Sequence, residues 1–155
     1  MNRKIIFLTI ACLPLVIGIT LASVWFYQKH FISFEMVSAA DGFVKEGGGA
    51  YWLQEWKSSD GVTVYEVMRG YPSEQDARVV FEEELKKAAT VIERESKPAG
   101  FPVVDERAVG TSADPRFKEP ATSIIRLQKK DVYRVDATSP KYALAFEKYR
   151  ERERE

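Results

Sequence analysis

Few residues in this chain could do chemistry, and several of them stand where their chemistry is hard to use. The one cysteine, Cys12, lies inside a long uncharged apolar stretch, and the one histidine, His30, lies at its edge. The body of the chain therefore lacks an internal disulfide, a thiol nucleophile, a Cys/His zinc site and a histidine general base. A lone histidine beside an apolar stretch reads as a solvated group. Ser73 and Ser139 precede helical patterns and read as caps rather than nucleophiles, with no Ser-Lys spacing that would activate them. What remains is carboxylate chemistry. Asp105 with Glu106, or Asp131 with Asp136, would supply the acid and base of an envelope hydrolase only if burial drove their pKa values apart. Gly47-Gly48-Gly49 lacks the Lys-Ser/Thr that follows a phosphate cradle, and it reads as a loop. No cofactor and no metal are implied, and the expectation is a chain without enzymatic activity.

Those residues hang from one stretch. Ile5 to Tyr27 carries no charge, and a helix of that length, at about 1.5 Å per residue, reaches across a hydrocarbon layer roughly 30 Å thick. Arg3 and Lys4 precede it, Trp25, Phe26 and Tyr27 close it at headgroup level, and Lys29 follows. The basic bias predicts a cytoplasmic N-terminus and an extracytoplasmic C-terminal domain. Thr20-Leu21-Ala22 and Cys12 raise the competing readings of a cleaved signal and a lipoprotein, both less consistent with so long an apolar run. The lipid bilayer is thus the first expected partner, through residues 5–27.

Composition bounds the remainder. The chain has 155 residues with 23 basic and 23 acidic side chains; with Arg3 and Lys4 set aside, the exported part is slightly acidic. That balance gives no footprint for nucleic acid. It leaves length for one domain, expected over residues 50–150, behind a short N-terminus at 1–4 and a linker at 28–49, with a charged tail at 151–155.

The pattern within the domain predicts an α+β fold, with a mainly antiparallel sheet packed against two helices. Phe34 to Val37 could form one short strand in the linker. Ala50 to Lys57 and Val62 to Gly70 read as a hairpin around Asp60-Gly61. Ser73 caps a helix whose stripe runs Ala77, Val80, Phe81, Leu85, Ala88 and Ile92, with Glu82–Lys86 and Glu83–Lys87 pairs outside. Its end near Arg94 competes with an extended reading of Val91 to Glu95. Strands are expected at Asp105 to Thr111, Thr122 to Gln128 and Val132 to Ala137, the last two forming a hairpin across Lys129-Lys130. A proline-bearing polar loop spans Ser112 to Pro120. Ser139-Pro140 opens a final helix that offers Leu144, Phe146 and Tyr149 to the core.

The segments YPSEQDARVVFEEELKKAATVIER, DERAVG and SIIRLQKKDVYRVDATSPKYALAFEK resemble a recurrent pattern in small uncharacterised bacterial membrane-anchored proteins, over roughly Tyr51 to Lys148. The resemblance implies a bacterial origin and an exported α+β domain, and it carries no catalytic residues. The leading expectation is a membrane-tethered interaction or accessory domain. Its candidate partner surface is Trp52, Trp56, Tyr65 and Arg69, facing a membrane or envelope protein. An apolar-ligand or lipid-binding domain and a carboxylate-dependent envelope hydrolase are the alternatives.

Overall fold

The computed structural model describes residues 32–43, 49–99, 101 and 103–153. The expected span at residues 5–27 lies outside them, as do His30 and Gly47-Gly48. No helix among the described residues is long and apolar enough to cross a membrane. The described residues form an α+β fold: a seven-stranded antiparallel sheet and two helices.

Two meanders build the sheet. The first runs β1 (Phe34–Phe43), β2 (Ala50–Ser58) and β3 (Thr63–Gly70). Helix α1 (Glu74–Lys87) then carries the chain to the far edge. The second meander returns through β4 (Thr90–Ser96), β5 (Glu106–Ser112), β6 (Ala121–Gln128) and β7 (Asp131–Ala137), ahead of helix α2 (Pro140–Arg152). The spatial order is β1-β2-β3-β7-β6-β5-β4, so β3 and β7 join the meanders at the centre.

Local chemistry accounts for one turn and both helix starts. Gly61 takes a φ of +81° in the β2–β3 turn, a conformation costly for a residue with a Cβ. The Ser73 hydroxyl accepts a hydrogen bond from the Asp76 N–H at 3.1 Å and so caps α1. Pro140 sits in the first turn of α2, where no intrahelical donor is needed. Ser139 caps through its backbone carbonyl, which accepts from the Tyr142 and Ala143 N–H groups, and not through its side chain.

The sequence expectations need correction in four places. β1 is ten residues long and belongs to the sheet, although its Ser-Ala-Ala-Asp-Gly stretch has low strand preference; it spans much of the expected linker. Helix α1 stops at Lys87, and Ile92, placed on its inner stripe, is 63% exposed on edge strand β4, at a bulge. The expected Glu82–Lys86 and Glu83–Lys87 pairs give way to Glu82 with Arg94 at 2.5 Å and Glu84 with Lys87 at 3.1 Å. Leu144 faces outward, and α2 runs to Arg152, taking in the first two residues of the expected tail; just before that tail, the Arg150 guanidinium reaches buried Glu66 at 2.9 Å.

Strands β5 and β6 are buried along nearly their whole length, because the sheet has a helix on each face. Alternation along the strands sorts the side chains. One face presents Ala108, Ile125, Leu127 and Val132 to Ala77 and Phe81 of α1. The opposite face presents Trp56 and Phe34 to Phe146 of α2, with ring centroids 5.3 and 5.0 Å from that ring. Ile125 and Leu127 thus face α1, whereas Tyr133 and Val135 point to the other side.

Candidate functional site

The four aromatic and basic residues proposed from sequence do not form one surface. Trp52 and Trp56 lie on the α2 face, and Tyr65 and Arg69 on the α1 face, since cross-strand partners Trp56 and Val64 precede Tyr65 by one pleat. Trp56 is buried against Phe34, Phe146 and Tyr149, with the Arg150 guanidinium 5.1 Å from its ring centre. It is a core residue. Trp52, half-buried, stands across from Met68.

Arg69 lines a cleft, and Tyr65 stands beside it beneath Arg116. Beyond the edge of α1, the loop residues Asp114, Pro115 and Arg116 reach over the α1 face of β2 and β3. A cleft of ≈ 350 Å³ lies there, with Tyr51, Leu53, Val67, Val80, Pro115 and Val132 as its apolar lining. Arg69, Glu84, Asp114, Arg116 and Arg134 supply its charge. The loop is fixed by its own chemistry. Asp114 accepts a hydrogen bond from the Arg116 N–H at 2.9 Å, and its carbonyl accepts from the Phe117 N–H at 3.0 Å, with Pro115 at the turn position that favours its fixed φ. Arg116 then lies 4.3 Å over the Tyr65 ring, which meets Phe117 edge-on at 5.6 Å.

Beneath the cleft runs a connected polar network. Asp136, fully buried, accepts from Ser123 Oγ at 2.5 Å, Arg134 Nε at 2.8 Å and Arg116 Nη2 at 2.8 Å. Arg134 also donates to Glu84 at 2.8 Å and to Ser112 Oγ at 2.8 Å, so each of its three nitrogens is engaged. Burial alone pushes the Glu84 carboxyl up, but hydrogen bonds from Lys87 and Arg134 and their charges outweigh it and hold the group below the usual glutamate range. Asp114 is held low chiefly by its hydrogen bond to Arg116, against the opposing effect of burial. Such a network is rigid because every member has a charged partner.

The carboxylates singled out for acid–base work are not brought together. Asp105 accepts the Lys129 backbone N–H at 2.7 Å, while Glu106 faces α1 and is bound by Arg78 and Arg94. Burial of Glu106 is outweighed by those arginines, and its carboxyl is lowered. Asp131 lies five residues before Asp136 on one strand, so the two point to opposite faces; burial raises the first, and arginines bind the second. Neither pair forms an acid and a base over one substrate position. Among the described residues no group of three metal-ligating side chains converges.

Sequence reading missed Asp114, Arg116, Glu84 and Arg134 as site residues. The Asp-Pro dipeptide was a usable turn signal, but nothing local says that the turn folds back over β3. Comparison with family profiles, curated proteins and solved structures finds no match, and the chemistry of the cleft is read from its own residues.

Proposed function

We propose that this chain is a non-catalytic, membrane-tethered binding domain that holds a small apolar group in the cleft beside α1. Residues 5–27 serve as the bilayer anchor, with the N-terminus cytoplasmic and the domain outside. The supporting observation is the cleft itself, which pairs an apolar lining with a few fixed polar groups, the common composition of small-molecule sites. Its volume suits ligands of roughly ten to fifteen non-hydrogen atoms, at the small end of such sites.

The test uses the full chain in phosphatidylcholine nanodiscs, titrated with short alkyl compounds by calorimetry. Saturable binding is expected, and Val67→Trp, which fills the cleft from its floor, should abolish it with the circular dichroism spectrum unchanged. Val80→Phe narrows the same cleft from the helix side and guards against a folding defect in the first variant. Saturable binding that survives both substitutions, or no binding at all, removes the proposal. For the orientation, a cysteine introduced at exposed Ser59 should react with a membrane-impermeant maleimide on intact cells. Labelling only after lysis would reverse the topology.

A second reading, docking of an envelope protein, draws on β1. Among the described residues β1 is an edge strand with Met36 and Val37 exposed, and an edge of that kind can accept an added strand.

A further inference from the structure

The charge distribution around the cleft narrows the class of ligand, given the binding reading above. Glu84 has three cations about it: Arg134 at 2.8 Å, Lys87 at 3.1 Å and Arg69 at 3.6 Å. Asp114 and Asp136 are shared between Arg116 and Arg134. The cluster thus sets four cations against three carboxylates. The surplus falls at Arg69. Its ion pair to Glu84 exceeds hydrogen-bond length, its other polar neighbour is the neutral Tyr71 hydroxyl, its side chain is 39% exposed, and its guanidinium stands 5.9 Å from the Tyr51 ring centre, where the apolar lining begins.

We propose that the cleft selects amphipathic carboxylates: a short alkyl chain lies against Leu53, Val67 and Val132 while its carboxylate takes the outer edge of the Arg69 guanidinium. That planar fork matches a carboxylate through two parallel N–H···O bonds. Glu84 gives up only its longest contact, because Arg134 and Lys87 continue to neutralise it. The bound carboxylate balances the cluster, which a neutral alcohol cannot do and an alkylammonium would worsen.

The full chain in phosphatidylcholine nanodiscs is titrated by calorimetry with octanoate and with octan-1-ol at neutral pH. Octanoate should bind about tenfold or more tightly than octanol, the gain expected of a charge-assisted contact over a neutral one. Arg69→Gln should weaken octanoate by about tenfold and leave octanol within about twofold, whereas Arg69→Lys should restore part of the loss. Equal affinity for the two compounds in the wild-type chain overturns the selectivity while leaving the cleft as a binding site. A parallel loss of both in Arg69→Gln also overturns it, since Arg69 would then act through the shape of the cleft. Binding of neither compound sinks the selectivity together with the binding reading on which it rests.

Discussion

The two faces of the sheet are built from the same parts and finished differently. Each helix sets an alanine, a phenylalanine and a glutamate toward the sheet: Ala77, Phe81 and Glu84 in α1, and Ala143, Phe146 and Glu147 in α2. Both phenylalanines are fully buried, and both glutamates meet a strand arginine, Arg134 at 2.8 Å and Arg107 at 2.8 and 2.9 Å. The difference comes from the first meander. On the α2 face β1 and β2 contribute Phe34 and Trp56, which close around Phe146. On the α1 face the same strands contribute Ser38, Ala40, Leu53 and Tyr51, and a cleft lies between the last two and Val80 of α1. One face is therefore closed by aromatic packing, and the other keeps a cleft.

Three measurements would break or sharpen this contrast. The largest effect is expected from Phe146→Ala, which empties the centre of the aromatic cluster and should cost about 3–5 kcal/mol in urea unfolding. A loss below about 1 kcal/mol would show that the α2 face is not the closed one. Next comes acid. Glu84, Glu106 and Asp114 all lie on the α1 side of the sheet and all have carboxyls held below their ordinary values of 4.5, 4.5 and 3.8. A carboxyl lowered by folding contributes stability that is fully present above its unfolded pKa and is lost as pH falls through its folded one. Stability should therefore hold steady above about pH 5 and decline below it, and Glu84→Gln should flatten part of that decline. An unchanged slope would remove Glu84 from the account. The smallest effect is expected for Leu53→Ala, about 1 kcal/mol, because its side chain already borders open space and little new cavity is created. A cost equal to that of Phe146→Ala would mean that the cleft wall is packed as tightly as the core.

The contrast between faces was only partly legible in the sequence. The β2–β3 hairpin, the Ser73 cap, the β6–β7 hairpin and Pro140 all follow from local signals, since turns and caps are decided by neighbouring residues. Alternation sets Trp52 with Trp56 and Tyr65 with Val67, and only with the register that pairs Trp56 with Val64 does it separate Trp56 from Tyr65. It does not say that both sides of the sheet are covered, because that depends on where α1 and α2 come to rest. The apolar stripe from Ala77 to Ile92 continues at helical spacing past Lys87, yet Thr90-Val91-Ile92 is β-branched and pairs with β5. Gly110 admits that pairing: a Cβ there would lie 2.4 Å from the Thr90 carbonyl oxygen. Such a need for bare backbone appears only once two distant segments meet. The cleft residues were illegible for a similar reason. Arg134, Glu84 and Asp114 come from a strand, a helix and a loop, and no spacing along the chain connects them.

The central β3–β7 ladder has a kinetic consequence. It pairs Val64 with Ala137 and Gly70 with Asp131, closing a loop that contains α1 and three further strands. Each meander can zip through short turns, but this seam must first overcome the entropy of bringing distant segments together. That entropy grows only logarithmically, by about 0.6 kcal/mol for each doubling of loop length. The chain between β4 and β5 could therefore be lengthened at little cost to the finished fold. The arrival of β7 beside β3 is the expected slow step of folding, and the cleft, whose walls come from both sides of that seam, is expected to form after it.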